Sequence, residues 1–187
     1  MEIILMLLDL LIVYFAVLYL FRTVKAIIGR KRLIKQIKKI CRERKHRLTL
    51  HRSPIASIFR LSKKTDLSVE THERVYHVKL FSCLARKKIY HFVDRNSYVT
   101  YLKVYFALPF AAKASESLLF STFHRFMAEV PSDGEKESFV LLFNPVPNDV
   151  TYIDETGMRR VAGNGSFIDS MLVCNAKGFC ELIEEEK

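Results

Sequence analysis

The sequence predicts an α+β protein: a single N-terminal transmembrane helix continuing into a basic amphipathic helix, then a mainly antiparallel β domain with one principal helix. Three observations predict it. Residues Ile3 to Phe21 are apolar except for Asp9; thirteen of the 30 Lys and Arg fall between residues 22 and 52; and from Ser53 onward short β-branched and aromatic segments alternate with turn sequences. The corresponding division is 1–21 as anchor, 22–52 as basic juxtamembrane helix and 53–187 as a cytosolic α+β domain. A chain of 187 residues that is 50% hydrophobic has ordinary globular composition. That excludes disordered, collagen-like and disulfide-dense classes.

The anchor comes first. Nineteen residues, IILMLLDLLIVYFAVLYLF, make a helix of roughly 28 Å, enough to cross a ~30 Å hydrocarbon core. A cleavable signal peptide starts with bases and ends on small residues, whereas this chain begins Met1-Glu2 and leaves the apolar run through Tyr19, Leu20, Phe21 and Arg22. No base precedes the span, while Arg22, Lys25 and Arg30 follow it closely. Because bases are retained on the cytoplasmic side, the expected topology has the N-terminus outside and the domain in the cytosol. Asp9, the one carboxyl in the span, reads either as a polar contact to another transmembrane helix or as a protonated or hydrated group in the outer third of the bilayer.

The stalk follows. Val24, Ile27, Ile28, Ile34, Ile37, Cys41 and Leu48 recur at helical spacing, with no proline before Pro54 and one weak point at Gly29. Its bases Arg30, Lys31, Arg32, Lys35, Lys38, Lys39, Arg42, Arg44 and Lys45 are expected to contact anionic lipid, at ~1 kcal/mol each near the surface. The membrane is therefore the first expected partner. A nucleic-acid partner is not expected, since no helix-turn-helix or finger follows the bases. Whether the helix bends at Gly29 to lie on the headgroups or stands and packs on the domain is left open by the pattern.

In the body, strands are expected at Ile55 to Leu61, Asp66 to Thr71, Val75 to Ser82, Lys88 to Asp94 and Ser97 to Phe106. In VYHVKLFS, Tyr76, Val78 and Leu80 share one face, and His77 and Lys79 share the other, expected wet, face. Between Pro109 and Pro131 the spacing of Leu119, Phe123, Phe126 and Met127 predicts the principal helix over Ala111 to Val130. Strands resume at Ser138 to Phe143, Val150 to Asp154, Arg159 to Val161 and Phe167 to Cys174. Asn175 to Gly178 reads as a closing turn, and the acidic tail from Glu181 as at most one helical turn.

Charge is partitioned: net −2 over 1–21, +12 over 22–52 and zero over 53–187, the last splitting into +7 for 53–113 and −7 for 114–187. A split of this kind orients a domain or provides a binding face. Together these readings make the chain a membrane-anchored, non-enzymatic binding domain whose second partner is a protein.

The alternative is a tethered metal-dependent nuclease or other nucleic-acid-processing domain centred on Asp66, Glu70 and Lys79, acids on a hairpin followed by a lysine. It departs from the usual pattern, because His77 stands two residues before Lys79, where an acid is needed. His72, His77, His91 and His124 lack the spacing of a metal site, and no cofactor motif is present: Gly163-Asn164-Gly165 is a turn, not a dinucleotide loop. No metal or cofactor is expected. Cys41, Cys83, Cys174 and Cys180 contain no C-x-x-C. They read as thiols, with Cys83 followed by Arg86, Lys87 and Lys88.

Overall fold

A computed structural model describes residues 2–51, 65–83, 88–94, 97–106, 115–125 and 136–186. One helix, α1, runs without a break from Glu2 to Arg44. Gly29 does not bend it out of helical conformation. From Thr23 on, one face is buried: Thr23, Ala26, Arg30, Leu33, Ile34, Ile37, Ile40 and Cys41, at the three- and four-residue spacing of a single helical stripe. The helix stops where Lys45 takes a left-handed conformation (φ 61°) and the His46 N–H reaches back to the Cys41 carbonyl at 2.8 Å. This is a Schellman-type end. Arg47–Leu50 then forms a strand, β1, so the helical reading of the stalk through residue 52 is corrected there.

The remaining strands are β2 (Leu67–Glu70), β3 (Val75–Phe81), β4 (Lys88–Asp94), β5 (Ser97–Phe106), β6 (Ser115–Arg125), β7 (Glu137–Phe143), β8 (Asp149–Ile153), β9 (Arg159–Val161), β10 (Phe167–Ile168) and β11 (Met171–Asn175). A second helix, α2, spans Ala176–Glu185. The expected strand over Ile55 to Leu61 lies outside the described residues. Two sheets form, one ordered β1-β2-β3-β7-β11-β10 and the other β6-β5-β4-β8-β9. The protein is thus broadly α+β, with mixed sheets. Antiparallel pairs form the flanks, while β3–β7, β7–β11 and β4–β8 are parallel. The expectation of a mainly antiparallel body missed these central pairings, which arise because the chain leaves the first sheet after β3 to build the second and returns at β7.

Three layers result. The second half of α1 and α2 cover one face of the first sheet, where Leu33, Ile37, Val69, Val78, Leu142, Phe179 and Ile183 pack together. The other face packs on the second sheet through Phe81, Phe92, Tyr98, Phe139, Phe143 and Met171. The central strand β7 is buried on both sides, and its run Phe139 to Phe143 is continuously apolar for that reason.

Two element assignments are corrected. Residues 115–125, read as part of the principal helix, are a strand paired with β5 over its whole length. The register slips between Tyr101 and Leu102, which pair with Ser121 and Leu119, so Phe120 is an extra residue. An inserted residue resets the two-residue alternation, and the reset pattern imitates helical spacing. The real second helix is α2. Asn175 caps it, its side-chain oxygen accepting from the Gly178 N–H at 2.8 Å, and Phe179, Cys180 and Ile183 are its buried stripe. The Asn-x-x-Gly sequence that reads as a turn is here a helix start.

Candidate functional site

The first half of α1 leaves the domain. Side chains from Met6 to Phe21 are exposed apart from a half-buried Leu18, and they include Leu7, Leu11, Ile12, Phe15 and Phe21. The helix is long and apolar enough to cross a membrane. Large contiguous apolar surfaces are rare on soluble monomers because each large side chain left in water forgoes roughly 1.5–3 kcal/mol. Asp9 sits on this exposed stretch.

No linker separates that stretch from the folded body. Thr23, two residues after Phe21, is buried, and Ala26 and Arg30 follow on the same side. Arg30, expected at the lipid surface, is instead 3% exposed. Its Nε donates to Ser82 Oγ at 2.6 Å and its Nη2 to the Leu80 carbonyl at 2.7 Å. Burial lowers its pKa, offset in part by the nearby Asp66 carboxylate. Arg30 lies four residues from Ala26 and from Ile34, on the same buried stripe; its charge hid this.

The other expected lipid contacts, Lys31, Arg32, Lys35, Lys38, Lys39, Arg42, Arg44 and Lys45, are all exposed. Lys39 lies 3.7 Å from Glu43. Distance along the helix separates them: Lys31 and Arg32 lie ~15 Å beyond Phe21 and Lys45 ~36 Å, whereas a surface potential decays over ~8 Å.

Asp66, Glu70 and Lys79 are not assembled into one centre. Asp66 is buried and its Oδ2 accepts the Leu80 N–H at 2.8 Å. Glu70 is exposed and faces Arg47 at 3.8 Å. Four residues of extended strand, ~13 Å, separate the two acids, too far for one cation. Lys79, expected on a wet face, is 8% exposed, because the second sheet covers that side. Among the described residues no three His, Cys, Asp or Glu side chains are placed to hold a metal. Cys41, Cys83, Cys174 and Cys180 are all buried free thiols, and burial pushes Cys174 and Cys180 up to about 11.

A polar row that no sequence signal singled out crosses the first sheet. His51 Nε2 lies 2.7 Å from Ser68 Oγ, and Ser68 Oγ lies 3.3 Å from His77 Nδ1. His77 Nε2 is 3.6 Å from the Glu137 carboxylate, beyond hydrogen-bond distance. The serine–histidine–acid order suggests nucleophile activation. But Ser68 sits inside a strand paired on both sides, with Thr49 and with His77, so its backbone groups serve the sheet and not an oxyanion. The row arises from cross-strand pairing and is invisible before the register is known.

Among the described residues two open surfaces stand out. A groove of about 640 Å³ beside α2 is lined by Tyr76, Leu172, Cys174, Leu182, Glu181 and Glu185. The outer side of the second sheet exposes Phe123, Ile153 and Val161. No family model matches the chain, and neither a curated protein nor a solved structure resembles it closely enough to support an argument.

Proposed function

We propose that the chain is a single-pass membrane protein that holds a non-enzymatic α+β binding domain against the cytosolic face of a bilayer, its N-terminus outside. One observation carries the reading: α1 is a single helix whose apolar half projects from the domain and whose other half is built into the domain core. The exposed Arg22 and Lys25 fall nearest the headgroups, and of the stalk bases from Arg30 to Lys45 the exposed Lys31 and Arg32 come next and favour anionic lipid; the bases from Lys35 to Lys45 add to the positive face that attracts it. The abundance of positive charge just after the span supports the orientation. The exposed side of the second sheet, with Phe123, Ile153 and Val161, is the surface that favours a protein partner.

The anchor is tested by alkaline extraction of membranes from cells making the full chain. The protein remains in the pellet, and deletion of residues 2–21 releases it; release of the full chain sinks the reading. Orientation needs a reporter other than the native thiols, because all four are buried. A cysteine at the exposed Thr156 stays unlabelled by an impermeant reagent in intact cells, and labelling there reverses the topology. Lipid contact is tested on residues 22–187, which sediment with phosphatidylserine vesicles at low salt and dissociate at high salt; equal binding to neutral vesicles removes the electrostatic part.

A further inference from the structure

We infer that the domain meets the bilayer at a second place: the end of the domain that carries the β7–β8 loop at Val146 and the Phe106 and Ser115 strand ends of β5 and β6 is a lipid-contact surface. The inference rests on the anchor reading above, because α1 sets the height of everything attached to it.

Direction comes from contacts at the two ends of α1. Gly29 and Arg30 touch the chain where β3 and β7 finish: the Asn144 Nδ2 donates to the Gly29 carbonyl at 3.3 Å, and Arg30 binds Leu80 and Ser82. At the other end, His46 Nε2 lies 3.0 Å from the Ile183 carbonyl near the end of α2. So β3 and β7 run toward the apolar half of α1, and the β8–β9 turn around Thr156 points away, since β8 returns in the opposite direction within the second sheet.

Height follows from helix rise. Gly29 stands eight residues past Phe21, ~12 Å along the axis, and the headgroup layer occupies ~5–7 Å outside the hydrocarbon. Val146 is two residues from Asn144, a reach of up to ~7 Å, which puts the headgroups within its range. It is 60% exposed, with an exposed Pro145 beside it.

The hairpin extends further. The Asn148 N–H donates to the Lys88 carbonyl at 2.9 Å, so β4 begins at the level of the β7–β8 loop. Lys88 pairs with Leu102, and β5 continues four residues beyond it to Phe106, still paired with β6 through Phe106 and Ser115. Four residues of strand span ~13 Å, comparable to the height of Gly29 above the hydrocarbon. The joining residues 107–114, which read ALPFAAKA, lie outside the described residues; the inference rests on the strand ends that flank them.

The test places a fluorophore at single introduced cysteines in the full chain, V146C, S115C, L11C or T156C, reconstituted in vesicles of phosphatidylcholine and phosphatidylserine that contain nitroxide lipids. The native thiols are buried and stay unlabelled in the folded protein. L11C is quenched by a mid-chain nitroxide, V146C and S115C by a headgroup nitroxide several-fold more than T156C. If L11C is quenched while either V146C or S115C behaves like T156C, the second contact is overturned and the anchor stands. If L11C is itself unquenched, the anchor falls and the second contact with it.

Discussion

Arg30 donates to the main-chain carbonyl of Leu80 at 2.7 Å, joining the helix that leaves the domain to the strand at its centre. Asp66 accepts the N–H of the same Leu80 at 2.8 Å, so one peptide-level junction ties α1, β3 and the start of β2 together. Replacing Arg30 by Met leaves the Leu80 carbonyl and the Asp66 carboxylate short of a charged neighbour in a buried place. A loss of about 3–5 kcal/mol is expected for breaking such an arrangement, read as a lower urea midpoint with unchanged slope. Arg30→Lys keeps the charge without the two-pronged geometry and recovers only part of it.

The second half of α1 belongs to the core. Ile37 is fully buried between the first sheet and α2, and Ile37→Ala is expected to cost about 2–5 kcal/mol. Ile12→Ala, on the exposed half, leaves the domain melting temperature unchanged. A fragment starting at Arg22 unfolds cooperatively; one starting at Ser53 lacks both the helix stripe and β1 and gives no cooperative transition. Circular dichroism melts of the two fragments decide it.

Gly178 is closed to a side chain by Asn164. A Cβ there would lie 2.3 Å from the Asn164 side chain, whose Oδ1 accepts the Asn175 N–H at 2.8 Å. Gly178→Ala in an otherwise ordinary helix position would gain ~0.5–1 kcal/mol from propensity; overpacking of ~1–3 kcal/mol outweighs it. The double variant with Asn164→Ala is less destabilised than the two single losses added together, a non-additivity that a double-mutant cycle reads directly.

Lys45 ends α1 at φ 61°. A side chain costs roughly 1 kcal/mol in that conformation, so Lys45→Gly is expected to stabilise the domain by about 0.5–1 kcal/mol despite the greater chain entropy of glycine. An unchanged or lowered melting temperature contradicts this.

Thiol reactivity is expected to be low. Burial raises Cys41 and pushes Cys174 and Cys180 up to about 11, so near pH 8 little thiolate is present on either, and access is closed as well. A colorimetric thiol reagent reacts with four groups in guanidinium and with almost none in the native protein. Fast native labelling of Cys174 or Cys180 contradicts the burial.

Most of the strand positions along the chain were legible because short segments such as VYHVKLF and ESFVLLF carry β-branched and aromatic residues between clear turns. Residues 115–125 were not, since the extra Phe120 breaks the alternation by which a strand is recognised. Nor was α2, whose capping Asn175 and helical Gly178 are the residues of a turn when no packing partner is known. The polar row through Ser68 and His77, and the separation of Asp66 from Glu70, depend on which strands pair and in which register. Neither follows from local composition.

By itself the sequence determined that the N-terminal half of α1 is an apolar helix of membrane-crossing length, because hydropathy and helix rise are local properties of consecutive residues. It likewise placed the excess positive charge just after that stretch. Only tertiary structure decided that the helix continues straight into the domain core, that Arg30 is a buried tie while Lys31 and Arg32 face solvent, and that Asn144 at the end of β7 meets the Gly29 carbonyl. Those facts depend on contacts between residues 50 or more positions apart. Such contacts are selected by shape, burial and hydrogen-bond satisfaction across layers, and periodicity along the chain carries none of that information.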